Sequence, residues 1–230
     1  MVRVNSLDTG LTREELAAVI GPRLYGVSVG KVESVWDLQE IDRIIAPLEV
    51  AAGLEPGHVK VIPWIESAKS IMNVQQMSTA SPRIIALAFG AEDYTNDMGI
   101  QRTDLGEEVY FARSTVAVAA RAAGIGSLDG PFVAFRDPES LQKDAQTARQ
   151  MGHTGKFAIH PSQIEILNEV FSPNVDDVAY ARRVMTAWDQ AKAAGRGSLD
   201  LDGKMVDVPV VKRAQNLLAF AEAIEQQVNL

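Results

Sequence analysis

Cysteine is absent from this chain of 230 residues, and histidine occurs only three times. Without cysteine there is no disulfide, no thiolate metal site and no cysteine nucleophile, which fits a cytoplasmic enzyme. The formal net charge is −8 and no basic stripe is present, so we expect no nucleic-acid partner. No apolar run approaches the roughly 20 residues that a membrane span requires. We therefore predict a cytoplasmic protein without a membrane partner.

Apolar residues make up 47% of the chain and are arranged in a repeated pattern. Short continuous apolar runs alternate with helical patterns at intervals of roughly 25 to 35 residues, which gives about six βα units. Such runs are typical of parallel strands that helices cover on both faces. An eight-stranded barrel needs two units more. The sequence thus predicts an α/β fold, either an open or otherwise completed sheet or a TIM-type (β/α)8 barrel lacking its first two βα units.

Two neighbouring apolar runs close on acids. Residues 61–66 end at Glu66, and residues 84–93 run through an apolar segment to Asp93. In a (β/α) barrel the carboxyl ends of the strands form the floor of the active site, so both side chains would project into one pocket. The long polar stretch 90–106 is predicted to be a loop.

Glu66 and Asp93 form the best candidate metal-ligand pair in the sequence. Hard oxygen ligands in a histidine-poor chain favour Mg²⁺ over Zn²⁺, and Mg²⁺ often takes only one or two carboxylates. The alternative is that each acid is an N-cap or first-turn residue that interacts with a helix dipole. Spacing alone does not separate these two interpretations.

Basic residues near strand ends are candidates for anion binding. Arg3 lies within an apolar strand and needs an anionic partner, either a substrate carboxylate or a structural acid. Lys31, at the end of the next strand, is a similar candidate, with an exposed lysine at the rim as the alternative. His160, which precedes a proline, is more often a packed, hydrogen-bonded group than a catalyst in such a position.

The character of the chain changes after residue 172. A helix is predicted over residues 175–194, followed by a small hairpin with an Asp-Gly turn at Asp202 and by a final helix over 210–228. We predict two parts: a barrel over residues 1–172, short at its N-terminus, and a C-terminal extension over residues 173–230.

Several segments together resemble the citrate lyase β-subunit-like branch of the HpcH/HpaI aldolase family. The resemblance covers nearly the whole chain, with matches in the same order: residues 3–5 (Arg-Val-Asn), 31–33 (Lys-Val-Glu), 63–68 (Pro-Trp-Ile-Glu-Ser-Ala), 89–94 (Phe-Gly-Ala-Glu-Asp-Tyr), 152–163 (Gly-His-Thr-Gly-Lys-Phe-Ala-Ile-His-Pro-Ser-Gln) and 202–207 with Pro209. The departure is at the front, since relatives begin with two further strands, a CoA-binding loop and an acidic motif near the metal.

The resemblance implies a (β/α)8 barrel whose C-terminal extension packs on a neighbouring subunit, commonly in a trimer. By position, Glu66 and Asp93 resemble the Mg²⁺ ligands, and Arg3 resembles the arginine that holds the carboxylate of a 2-oxo acid. Asp207 resembles an acid/base residue that relatives deliver into a neighbouring subunit's site. We therefore take Asp207 and Arg3 as candidate catalytic residues, and Arg3, Glu66 and Lys31 as candidate substrate-binding residues.

The predicted function is a Mg²⁺-dependent carbon–carbon lyase that cleaves or forms a 3-hydroxy-acyl-CoA of the malyl or citramalyl type. Its small-molecule partners would be an acyl-CoA thioester and a 2-oxo acid. One alternative is a catalytically incomplete barrel that binds Mg²⁺ and a 2-oxo acid or acts as a subunit of a lyase complex. Another is an aldolase that acts on free pyruvate-derived substrates without CoA.

Overall fold

The computed structural model describes residues 1–103, 106–193 and 195–228. The chain divides into two compact units, of which the first ends at Val170 and the second begins at Phe171. This division lies two residues before the boundary expected from the sequence. Within the described residues, no helix combines the length and the apolar character needed to cross a membrane.

The first unit is built on one parallel sheet whose strands are hydrogen-bonded in chain order. The strands are β1 (Val2–Val4), β2 (Gly26–Val29), β3 (Lys60–Ile65), β4 (Ala86–Phe89), β5 (Gly126–Asp129) and β6 (Gly155–Lys156). The helices are α1 (Thr12–Val19), α2 (Val35–Ala51), α3 (Ala68–Met77), α4 (Ala91–Met98), α5 (Tyr110–Ala123), α6 (Pro138–Met151) and α7 (Ile164–Phe171). The predicted parallel α/β fold is therefore confirmed.

Alternate residues of the strands lie on opposite faces of the sheet, and the two faces have different roles. One face packs against the helices and supplies most of the core, including Val27, Val29, Val61, Ile65, Leu87 and Phe89. The other face carries a smaller apolar cluster of Ile62, Trp64, Ala86 and Ala88, with Leu128 and Phe157 packed against it. Residues that follow a strand therefore reach one face or the other according to their position in this alternation.

Local sequence signals explain where the helices around the site begin. Ser67 caps α3, because its side chain accepts the N–H of Ser70 and the Ser70 hydroxyl accepts the N–H of Ser67 in return. Ser34 and Asp37 form the same reciprocal arrangement at α2. This helix also continues through Pro47.

The prediction of a loop over residues 90–106 is wrong in its first half, which forms α4. This helix has few apolar residues, so its sequence gives only a weak apolar periodicity, but its two ends are well defined. Glu92 and Asp93 lie in the first turn, where acids interact favourably with the helix dipole. Gly99 ends the helix in the left-handed conformation (φ 67°).

The second unit contains α8 (Val175–Ala193), the antiparallel hairpin of β7 (Leu199–Leu201) and β8 (Lys204–Val206), and α9 (Val208–Val228). Asp202 and Gly203 both have positive φ (56° and 75°), as a two-residue hairpin turn of this kind requires. The predicted Asp-Gly hairpin is confirmed. A small core of Ala181, Val184, Val206, Val211 and Ala214 holds the unit together.

Candidate functional site

Glu66 is the centre of the candidate site. It directly follows β3 and is buried, on the same side of the strand as Trp64. Its Oε1 accepts the backbone N–H of Lys31 at 2.6 Å. The end of β3 therefore presents a carboxylate that the neighbouring chain already holds in one orientation.

Two glycines leave room for this carboxylate. A Cβ atom added at Gly90 would lie 2.5 Å from Oε2 of Glu66, and one added at Gly30 would lie 3.2 Å from Oε1. The first distance is shorter than any normal contact, so the backbone of the β4–α4 junction fits closely around Glu66 only because residue 90 has no side chain. The carboxylate thus lies between the ends of β2 and β4.

Lys31 has an unusual backbone conformation, with φ 50°. Positive φ is uncommon for a residue other than glycine, and here it accompanies the hydrogen bond from the Lys31 N–H to Glu66. Its exposed side chain is positive and acts to lower the pKa of the Glu66 carboxyl. The structure therefore places Lys31 beside Glu66, with the main chain making the direct contact.

Asp93 lies in the first turn of α4, beyond the end of β4 at Phe89. Burial raises the pKa of Glu66 above its ordinary value, and the negative charge of Asp93 raises it further. The two acids are therefore close enough for their charges to interact, although Asp93 belongs to a helix, and their joint role as metal ligands stays a prediction. The helix-start interpretation also holds for Asp93, so the two interpretations are compatible.

The donor set fits Mg²⁺. Among the residues described, no group of three or more histidine, cysteine or acidic side chains could hold a metal by itself. Mg²⁺ commonly binds through one or two carboxylates and leaves its other positions to water and substrate, as Glu66 and Asp93 would allow. A cation between them would also offset the repulsion and burial that raise the pKa of Glu66.

Arg3 extends from β1 over the ring of Trp64, with Cζ 4.9 Å from the ring centroid. Trp64 in turn stacks on Phe157 with 4.5 Å between ring centroids. The Nη2 atom of Arg3 lies 3.5 Å from the position that a Cβ atom on Gly30 would take. Gly30 is also one of the two glycines that adjoin the Glu66 carboxylate. The guanidinium is therefore held at the edge of the Glu66 site by aromatic stacking.

The anionic partner expected for Arg3 is not a neighbouring acid. Within the described parts of the chain Arg3 forms no salt bridge, and the side chain is exposed. Its charge nevertheless acts to lower the pKa of Glu66. This arrangement leaves the guanidinium available to a substrate anion.

Asp207 lies in the second unit, directly after β8. It is half-buried, and its Oδ1 accepts the N–H of Val210 at 3.3 Å in the first turn of α9. The sequence-based assignment of Asp207 as an acid/base in a neighbouring subunit stays a prediction.

A buried ion cluster on the other face of the sheet was missed from the sequence. Asp129, the last residue of β5, binds Arg113 through two hydrogen bonds of 3.0 and 2.7 Å and Lys156 at 2.5 Å. Asp144 of α6 contacts the same two cations, at 3.0 and 2.6 Å. Burial alone would raise the pKa of Asp129, but the charges of Lys156 and Arg113 outweigh it and lower the pKa to about 2.

His153 completes this cluster. Its Nδ1 shares a hydrogen bond of 2.8 Å with the Ser127 hydroxyl, and its Nε2 lies 4.0 Å from Oδ1 of Asp129. Burial lowers the pKa of His153, so the ring is neutral at pH 7. Ser127 and Asp129 alternate with Leu128, which lies on the Trp64 face, so the cluster joins β5 and β6 to α5 and α6 away from Glu66.

His160 is a local structural group, as its position before a proline indicated. Its Nδ1 caps the short 3₁₀ turn Pro161–Gln163 by accepting the N–H of Ser162, and the ring stacks on Phe135 with 5.0 Å between centroids.

Sequence comparisons find relatives among lyases. Over 97% of this chain and 74% of the relative, the sequence is 36% identical to the citrate lyase subunit beta of Leuconostoc mesenteroides subsp. cremoris. It is 34% identical to an L-malyl-CoA/beta-methylmalyl-CoA lyase of Cereibacter sphaeroides, over 97% of this chain and 76% of that protein.

Solved structures give the same result. Protein CitE of Mycobacterium tuberculosis, in complex with magnesium, acetoacetate and coenzyme A, superposes with a TM-score of 0.77 at 30% identity, over 96% of this chain and 78% of that one. A citrate lyase structure from Burkholderia xenovorans, only 22% identical, has a TM-score of 0.84 over 97% of this chain and 72% of that one. The predicted fold class is confirmed, and the magnesium in CitE agrees with the predicted cofactor.

The family itself follows from the sequence match. Residues 1–161 match the model of the HpcH/HpaI aldolase/citrate lyase family, which is well over half of the chain. The predicted enzyme class, a carbon–carbon lyase, is confirmed by the same relatives. The chain is thus a member of the HpcH/HpaI aldolase/citrate lyase family.

Proposed function

We propose that this lyase is cytoplasmic and that it cleaves or forms a 3-hydroxy-acyl-CoA of the malyl or citramalyl type, with an acyl-CoA and a 2-oxo acid as the other reaction partners. The observation that carries the proposal is the buried Glu66 carboxylate between Gly30 and Gly90, with Asp93 and the Arg3 guanidinium beside it. Two acids and an arginine suit a substrate half that carries a carboxylate next to a hydroxyl or keto oxygen.

Glu66 and Asp93 would hold Mg²⁺, which when bound acts as a Lewis acid and stabilises charge that develops on a substrate oxygen. Lys31 orients Glu66 through its N–H, so this carboxylate is positioned before substrate arrives. Arg3 would bind the carboxylate of the 2-oxo acid. The stack of Arg3 on Trp64 limits the directions that the guanidinium can take. A carboxylate bound to Arg3 would therefore be held in one orientation for the reaction.

Asp207 would transfer the proton. In the cleavage direction a base removes the proton of the 3-hydroxyl, the carbon–carbon bond breaks as the keto oxygen forms, and the released thioester enolate takes a proton at its α-carbon. One carboxylate can accept the first proton and return the second, provided that its pKa suits both steps. We assign this role to Asp207 of a neighbouring copy, whose residues 173–230 would pack on the copy that holds the Glu66 site, in a trimer.

The relatives support this substrate class. One acts on L-malyl-CoA and beta-methylmalyl-CoA, and the solved CitE complex contains coenzyme A and the oxo acid acetoacetate. A second candidate function is supported by the relatives called citrate lyase subunit beta. In that case the chain binds Mg²⁺ and a 2-oxo acid and acts as a subunit of a lyase complex, without cleaving a free acyl-CoA.

Calorimetric titration with Mg²⁺ and oxaloacetate, pyruvate or glyoxylate, with malyl-CoA and citramalyl-CoA cleavage assays in parallel, tests both candidates. Metal-dependent binding with cleavage supports the lyase, and binding without cleavage supports the subunit. Asp93→Asn should abolish both signals. Glu92→Gln is the matched control, because it removes the same charge from the same helical turn. Equal losses in the two variants would contradict the metal-site assignment.

A further inference from the structure

An apolar groove of about 660 Å³ runs along the outward side of α3 and α5. Three large side chains on it are unusually exposed: Met72 (79%), Phe111 (66%) and Val118 (66%). Among the described residues no charged side chain lines the groove, which is formed by Ile71, Met72, Val74, Gln75, Tyr110, Phe111, Ser114, Thr115, Val118, Ala119 and Ala122. We call this surface the α3–α5 face.

Helix α5 is apolar on two sides. Its inward side, which includes Ala112, Val116 and Ala120, is buried in the main core. Its outward side has a second stripe at helical spacing, with Phe111, Val118 and Ala122 exposed. A helix in contact with water normally has a polar outer side, whereas a helix that is apolar all round is buried.

The exposed apolar area of the α3–α5 face is comparable with the apolar centre of a protein–protein interface. A covered aromatic side chain loses about 150 to 250 Å² of accessible surface, so Tyr110 and Phe111 with Met72 and Val118 offer on the order of 500 Å². A stable interface takes about 800 Å² from each partner, with a polar rim around an apolar centre. The α3–α5 face therefore supplies more than half of one side of such an interface.

The charges at the two ends of α5 are complementary to those of a second copy of this chain. Exposed Glu107 precedes the helix, and exposed Arg121 lies in its last turn. When two copies of α5 pack antiparallel about a two-fold axis, the acidic end of each helix meets the basic end of the other. The uncharged middle of the face then meets itself without like-charge repulsion.

We propose that the α3–α5 face is an isologous interface with a second copy of this chain, in which α5 packs antiparallel on its counterpart. Phe111 and Val118 form the apolar centre, and Glu107 of each copy pairs with Arg121 of the other. The interface is distinct from the Glu66 site and does not depend on the function proposed for that site.

The first test compares Val118→Glu with Val50→Glu by sedimentation velocity, at protein concentrations from about 0.1 to 100 μM. Val50 is the matched control, because it is also 66% exposed and also lies on a helix of the first unit, α2. We expect Val118→Glu to halve the mass of the assembly, since a two-fold relation is lost, and Val50→Glu to leave it unchanged. A monomeric wild-type chain at every concentration would overturn the proposal, as would a Val118→Glu chain that keeps the wild-type mass.

A charge-reversal cycle tests the antiparallel arrangement and does not depend on the folding of Val118→Glu. Glu107→Arg and Arg121→Glu should each weaken self-association at least threefold, and the double variant should recover most of the wild-type constant. Failure of the double variant to recover would overturn the antiparallel pairing. Self-association that none of these variants changes would assign the face to a different protein and overturn the second-copy proposal.

Discussion

Replacing Asp129 with asparagine should destabilise the first unit strongly, because it removes one acid from a buried cluster of two acids and two cations. The guanidinium of Arg113 and the ammonium of Lys156 are almost completely buried, and among the described acids each keeps only Asp144 as a partner after the change. Breaking a buried ion pair costs about 3 to 5 kcal/mol. Since Asp144 remains, we expect a loss of about 3 kcal/mol in the free energy of unfolding.

The pH dependence of this loss distinguishes a charge effect from a packing effect. The pKa of Asp129 is about 2 in the folded chain against an ordinary value of 3.8. The difference corresponds to about 2 kcal/mol of stability. Because the folded pKa is the lower one, this stability is present above about pH 4 and is lost as the pH falls toward 2. The difference between wild type and Asp129→Asn should therefore shrink by about 1 kcal/mol between pH 7 and pH 3.

Urea denaturation followed by far-UV circular dichroism at pH 7, 5, 4 and 3 measures this difference. Glu139→Gln, at an exposed acid in the first turn of α6, is the control and should change stability by less than about 1 kcal/mol. A loss below about 1 kcal/mol at pH 7 for Asp129→Asn, or a loss that is the same at pH 7 and pH 3, would refute the charge argument.

Three further predictions concern the candidate site. Gly90→Ala should reduce Mg²⁺ affinity in calorimetry at least tenfold, because the new Cβ would lie 2.5 Å from Oε2 of Glu66; unchanged affinity would contradict the tight fit. Lys31→Val should lower the free energy of unfolding by about 1 to 2 kcal/mol in thermal denaturation, whereas Lys31→Gly should stay within about 0.5 kcal/mol of wild type, because φ is 50° at this position. Inactive Asp207→Asn and inactive Glu66→Gln chains should regain cleavage activity when they are refolded together, since some sites then receive both intact residues; no recovery would place Asp207 outside a shared site.

The sequence predicts the strands of the first unit well because their signal is local. Buried parallel strands need continuous apolar runs, and a run such as residues 61–65 is typical of such a strand. The same logic located Glu66, because the residue after a strand reaches the sheet's carboxyl edge. Helix α4 was missed because it is short and carries few apolar residues, so that its ends are more informative than its middle.

The ion cluster shows what a sequence pattern does not reveal. Asp129 is the last residue of its strand and Glu66 directly follows its own strand, so both are acids at the carboxyl end of a strand. Their positions in the strand alternation place them on opposite faces of the sheet. Only the partners, Arg113 and Lys156, distinguish a structural acid from a candidate ligand, and these lie 16 and 27 residues away in the chain.

The contact from the Lys31 main chain to Glu66 has a consequence for how this site is mapped. Every amino acid except proline retains the N–H that holds the carboxylate, so an alanine scan would classify position 31 by its side chain alone. A scan that removes functional groups would also overlook Gly30 and Gly90, because these residues contribute room for the Glu66 carboxylate and no functional group. Replacing the Lys31 amide with an ester, which deletes a single hydrogen-bond donor, would measure how much of the order in this site is encoded in the backbone.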